Sequence, residues 1–194
     1  LVHAPGTCWE YSRATDVLGA VLEVIEGEPL GAILQRRVFG PLGMHDTGFS
    51  VPAAQQHRLA EPFALDPQTG LKVALIDVTA PPVFESAGGG LVSTARDYAR
   101  FLQLMLGRGT APGPHGPVRL LGGATVDFMT ADHLGSLPVA GDILPTGHGF
   151  GLGVAVRTAA GLATRPGSAG QYSWSGLGGT FFFVDPVEDL FAIL

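Results

Sequence analysis

Covalent catalysis at serine needs a hydroxyl with an activating partner at fixed spacing, and neither familiar arrangement can be assembled from this sequence. Lys72, the only lysine, is preceded three positions earlier by Thr69 and not by a serine, and no Gly-x-Ser-x-Gly elbow occurs. The six histidines, at 3, 45, 57, 115, 133 and 148, are scattered without a His-x-x-x-His pair or paired cysteines, so no metal site is expected and they read as solvated loop side chains. Cys8 stands alone, which excludes an intrachain disulfide. Gly88-Gly89-Gly90 lacks the Gly-Lys-Ser/Thr that would make it a phosphate loop, and close backbone packing ahead of a helix is the simpler reading. Two aromatic residues then carry the interest. Tyr11 lies just before a helix in Pro5-Gly-Thr-Cys-Trp-Glu-Tyr-Ser-Arg13, and Trp174 heads Trp174-Ser175-Gly176. Taken alone, the first packs a ring and anchors a hydroxyl, and the second fills a core.

Both need elements to position them. Val17, Leu18, Val21, Leu22 and Ile25 form an i, i+3/i+4 stripe that predicts an amphipathic helix over 13–26, stopped by Gly27. Pro29 starts a second helix through Ile33, Leu34 and Val38, expected to end at the Gly40-Pro41 breaker. Periodicity fades from Ser50 to Gly90, where prolines predict a long loop with a short hairpin around Asp66 to Leu75. Thr94 and Asp97 match a capping box, and Tyr98, Phe101, Leu102 and Met105 continue that helix to Gly107. Gly109 to Gly123 reads as turns, and Ala124 to His133 as a short helix. After Gly149 the runs Phe150 to Val156, Tyr172 to Trp174, Thr180 to Val184 and Leu190 to Leu194 predict an antiparallel sheet. The fold class expected is α+β, one domain over 1–194 with helices and loops in 1–148 and strands in 149–194.

Composition supports a packed interior: 46% hydrophobic and 14% charged residues, with a mean hydropathy of +0.31, lie far from the disordered regime. A net charge of −6 with scattered arginines gives no basic stripe for nucleic acid. The charge-free run Pro166 to Val184 is interrupted by glycines and reads as turns and strands, so no membrane-spanning segment is expected. The first residues lack an initiator Met and a signal-peptide pattern, and the strand-like end stops without a turn, so truncation at both ends is expected and the compartment stays open.

The tandem Pro-Gly-Thr-x-x-x-Tyr-Ser (5–12), Asp16-Val-Leu-Gly19 and Phe39-Gly-Pro-Leu-Gly-Met-His-Asp-Thr-Gly-Phe49 resembles the serine β-lactamase/penicillin-binding protein superfamily, especially its class C-like esterases. Gly88 to Leu102, Gly149 to Gly153 and Gly179 to Pro186 are similar to later segments of the same family. The resemblance implies a β-lactamase/transpeptidase-like fold, and a serine nucleophile from a Ser-x-x-Lys motif outside these residues. It implies Tyr11 as the second-motif tyrosine that moves the serine proton, and Trp174, Ser175 and Gly176 as the third motif along which substrate lies. By the same resemblance the Leu177 N–H is one of two oxyanion donors. Arg13 stands where the family usually has Asn, and Trp174 where β-lactamases carry Lys, both of which favour esterases over β-lactamases. The function so implied is hydrolysis of a small-molecule ester or amide through an acyl-serine intermediate, without cofactor, and with the chain alone inert. The alternatives are a β-lactamase or D-alanyl-D-alanine peptidase, and a non-catalytic scaffold that keeps the fold. The oligomeric state is not implied.

Overall fold

The computed structural model describes residues 2–60, 64–66, 70–73 and 75–194. Helix α1 (Ala14–Glu26) ends where Gly27 turns left-handed at φ 71° and returns its N–H to the Glu23 carbonyl. The second helix does not stop at Gly40-Pro41. It runs from α2 (Leu30–Leu34) through a π-helical turn (Gln35–Phe39) into α3 (Gly40–Leu42), and closes at left-handed Gly43. The wider turn accounts for this: the Gly40 N–H reaches back five residues to the Gln35 carbonyl, which makes room for the ring of Pro41, a residue with no N–H to donate. The following loop contains a 3₁₀ helix (Ala53–Arg58) that the pattern did not suggest. Of the hairpin expected around Asp66 to Leu75, the structure shows a bridge between Leu65 and Lys72 and the Asp66 N–H donating to Leu71. Residues 67–69, with Thr69 among them, and residue 74 lie outside the described residues.

Helix α4 (Ala95–Leu106) is capped by Thr94, whose hydroxyl accepts from the Asp97 N–H at 3.2 Å. The box is only half closed. The buried Asp97 carboxylate turns away, accepting from the Asp46 N–H at 2.7 Å and the Thr47 hydroxyl at 3.1 Å, so it fastens the helix to the loop after α3. The stretch read as turns from Gly109 to Gly123 is largely a hairpin, β1 (Thr110–Gly113) with β2 (Gly116–Arg119). Its proline and glycine content hid the pairing, because a two-stranded ribbon needs no alternating apolar face. Helix α5 (Gly123–Met129) is shorter than the sequence suggested.

The C-terminal sheet is antiparallel in chain order: β3 (His148–Phe150), β4 (Ala155–Arg157), β5 (Tyr172–Ser175), β6 (Phe181–Asp185) and β7 (Leu190–Ile193). The single run expected from Phe150 to Val156 is two strands joined through Gly151–Val154. Helix α4 lies between two apolar clusters. Leu102 and Met105 pack with Val126, Val156, Tyr172 and Val184 against the sheet, whereas Leu104 joins Phe39, Leu42, Met44 and Ala111 on the other side. The core therefore fixes the sheet, and with it Trp174, relative to α4 and α5. No helix among the described residues is long and apolar enough to cross a membrane.

Candidate active site

Tyr11 reaches the site through a short extended segment held at both ends. Upstream, the Trp9 N–H donates to the Pro138 carbonyl and the Ala140 N–H donates to the Trp9 carbonyl, both at 2.8 Å, so residues 138–140 clamp the strand-like piece that leads to Tyr11. Downstream, the Asp16 carboxylate accepts from the Ser86 hydroxyl at 2.7 Å and the Gly88 N–H at 2.9 Å, and Arg13 stands 3.7 Å away. These partners, with Ser86 the strongest, then the Gly88 N–H and the Arg13 charge, hold the Asp16 carboxyl below the usual range although burial works the other way. The first turn of α1 is thereby tied to the glycine loop, which packs tightly at Gly90, whereas a Cβ on Gly89 would meet nothing within 4 Å. A Cβ on Gly90 would lie 2.8 Å from the Ser86 carbonyl and 3.0 Å from the Phe49 ring.

Trp174 stands on β5 opposite Phe182 of β6, and its ring centroid lies 5.2 Å from that of Tyr11. The two aromatic residues singled out from opposite ends of the sequence are thus neighbours. Two residues that the sequence reading did not assign extend the row: Phe150 meets Trp174 edge-on at 5.1 Å, and Trp9 meets Phe150 at 4.7 Å. Both sat inside segments quoted for their resemblance, but nothing in their spacing indicated that they would touch.

Ser175 is exposed at the end of β5, opposite Phe181. The chain then turns tightly: the Gly176 N–H donates to the Thr180 carbonyl at 2.8 Å and the Gly179 N–H to the Gly176 carbonyl at 3.1 Å. A Cβ on Gly176 would meet the Thr180 hydroxyl, which would have to rotate away. Leu177 at the tip is 89% exposed, and its N–H donates to no described residue. Tyr11 is 45% exposed, and its hydroxyl also has no hydrogen-bond partner among the described residues. On the interior side, Trp174 shares the wall of an apolar cavity of about 230 Å³ with Tyr98, Met105, Met129, Val154 and Phe182. Burial there pushes the Tyr98 phenol up to about 12.

The histidines do not converge. His3 pairs with Glu10 at 3.2 Å, His133 lies 2.7 Å from the Phe128 carbonyl, and His148 lies 3.1 Å from that of Thr146. Among the described residues no group of three or more His, Cys, Asp or Glu could hold a metal ion.

The α+β fold with its five-stranded antiparallel sheet is the β-lactamase/transpeptidase-like fold. The chain belongs to the Beta-lactamase family, whose model matches residues 1–194. It is 42% identical over 199 residues to Protein Rv1367c of Mycobacterium tuberculosis, a match that covers 98% of this chain and 49% of the relative. It is 32% identical over 212 residues to Esterase EstB of Burkholderia gladioli, covering 100% and 50% respectively. Among solved structures, EstCE1, described as a hydrolase with promiscuous acyltransferase activity, superposes with a TM-score of 0.72 at 28% identity, over 100% of this chain and 52% of that one. The chain spans about half the length of the curated relatives it matches. Its relatives in this family include proteins named as esterases and hydrolases.

Proposed function

We propose that these residues form one wall of the acyl-transfer site of a serine hydrolase acting on neutral carboxylic esters or amides, with the nucleophile supplied from outside the 194 residues. The observation that carries this reading is the contact between Tyr11 and Trp174, which unites the segments resembling the second and third motifs of the family at 5.2 Å. Tyr11 acts as the proton carrier. Where cationic neighbours from the rest of the hydrolase stabilise its deprotonated form, its oxygen takes the serine proton as the serine oxygen attacks the substrate carbonyl, and returns that proton to the leaving alcohol or amine as the bond to the acyl carbon breaks. Water then attacks the acyl-serine by the same route in reverse, releasing the acid and restoring the serine hydroxyl. The N–H of exposed Leu177, which donates to no described residue, is suited to donate to the oxygen on which negative charge develops. An indole at 174 offers no positive charge to a substrate carboxylate, which favours esters over β-lactams.

The test is Tyr11→Phe in the full-length hydrolase that carries these residues. The variant should fold normally while its turnover of a short-chain ester falls roughly 10²- to 10⁴-fold, the usual size of an acid–base contribution. Unchanged turnover would reduce Tyr11 to a packing residue. Two further measurements constrain the reading. The 194-residue chain alone should not be labelled by an active-site serine probe, and β-lactam turnover exceeding ester turnover in the full-length protein would move the assignment to a β-lactamase or peptidase.

A further inference from the structure

We infer that Phe150 is a positioning residue that holds Trp174 against Tyr11, an inference that rests on the role proposed for Tyr11. Tyr11 sits on an extended segment, is nearly half exposed, and its hydroxyl donates to no described residue. Its aromatic partner among the described residues is Trp174, so the place of the phenol oxygen depends on where that indole stands. Trp174 is fixed through its backbone by the pairing of β5 with β6, but that pairing does not choose a rotamer. The ring of Phe150 does, because it presses edge-on into the indole at 5.1 Å and 76°. On its other side Phe150 is backed by Trp9 at 4.7 Å, so it fills the space between the two indoles.

Phe150 is itself held firmly. Its N–H donates to the Asp132 carboxylate at 3.2 Å, and its carbonyl accepts from the His133 N–H at 2.9 Å. Asp132 also takes the Leu134 N–H at 2.9 Å, and the same loop continues to residues 138–140, which clamp Trp9. One loop, 132–140, therefore anchors both the ring that contacts Trp174 and the ring behind it. The geometry gives a mechanical path from this loop through Phe150 and Trp174 to the hydroxyl proposed to carry the proton. A displacement of about 1 Å in a reacting group can cost on the order of 10²-fold in rate, so a contact that sets this position affects turnover without touching substrate.

The experiment is a double-mutant cycle in the full-length hydrolase, using Phe150→Leu, which keeps most of the volume but loses the flat ring, and Tyr11→Phe. Phe150→Leu should lower kcat for a short neutral ester by roughly 10- to 100-fold with KM changed less than about 3-fold, and Phe150→Tyr, which restores the ring, should recover most of the loss. In the Tyr11→Phe background the same Leu substitution should change kcat by less than about 2-fold, because the group it positions is gone. A general structural role would lower kcat equally in both backgrounds, and that result overturns the inference. So does a Phe150→Leu enzyme with unchanged kcat when Tyr11→Phe is impaired. If Tyr11→Phe is itself silent, the failure lies with the proposed function. Phe150→Ala serves as a check: near-UV circular dichroism should show a loss of aromatic signal with the far-UV spectrum retained, and an unchanged aromatic spectrum counts against the row.

Discussion

Helices α1 and α4 are nearly equal in length, both carry an apolar stripe at helical spacing, and both have an aspartate at the third position, yet they are packed in opposite ways. In α4 the stripe is interior, with Leu102 fully buried and Leu104 and Met105 beside it. In α1 the stripe that predicted a core face is mostly exposed, Val17 at 64% and Ile25 at 71% with only Leu22 half-buried, and the one buried residue is Gly19. Here α1 docks through its glycine. A Cβ on Gly19 would lie 2.8 Å from the Ala87 Cβ and 3.2 Å from a Leu30 methyl, so the missing side chain is what lets the helix approach. Periodicity therefore identifies residues that share a face, and does not say what that face meets. The aspartates repeat the lesson in polar form, because both leave their own helix to hold a distant loop: Asp97 to residues 46–47, Asp16 to Ser86 and Gly88.

The comparison can be broken most directly at Leu102, where Leu102→Ala should cost ~2–5 kcal/mol and lower the urea midpoint accordingly, because nothing exposed can refill the space. A loss below about 1 kcal/mol would mean that α4 is less embedded than its burial indicates. Tyr172, in the same cluster, should respond in the other direction. Its hydroxyl is buried without a hydrogen-bond partner among the described residues, and burial raises its pKa. Tyr172→Phe should therefore leave stability unchanged or raise it by about 1–3 kcal/mol, read as a higher Tm, and a clear loss would reveal a partner for that hydroxyl. Gly19→Ala tests the docking of α1. Alanine favours an exposed helix by ~1 kcal/mol, but overpacking costs ~1–3 kcal/mol, so a net loss is expected, and a gain would show that α1 moves freely.

The tie made by Asp16 should appear in the pH dependence. Its folded-state pKa is lowered, so its contribution is fully present above the unfolded value near 4 and is lost as pH falls through the folded one. The Tm should drop more steeply between about pH 5 and 3 in the parent than in Asp16→Asn, and equal slopes would assign the acid sensitivity elsewhere. The smallest effect belongs to the exposed stripe: Val17→Ser should change stability by no more than about 0.5 kcal/mol beyond helix propensity, and a loss like that of a core valine would show that its face is covered in solution.

Much was legible before any coordinates. Local signals placed α1, α4 and the order of the C-terminal strands, since a capping threonine, a stopping glycine and β-branched runs act over a few residues. The same local reach explains the errors. Gly40-Pro41 looked like a stop because proline disrupts an ordinary α-turn, whereas here a π-turn precedes it and the Phe39 and Leu42 side chains on either side are buried in the second cluster. The hairpin at 110–119 escaped because its residues carry no alternation, and its pairing rests on backbone groups.

For the candidate site, the sequence by itself determined the residue types: a tyrosine before a helix, an indole, a small residue and a glycine at the end of a strand, and no serine–lysine pair at catalytic spacing. Only the tertiary structure decided that Tyr11 and Trp174 touch, that Phe150 and Trp9 complete the row, and that loop 132–140 anchors both of the added rings. The reason is physical. Propensity, capping and turn chemistry are fixed by neighbours in the chain, whereas the contact between residue 11 and residue 174 needs the clamp by residues 138–140 and the tie of Asp16 to Ser86 and Gly88, both made by residues far away in the sequence.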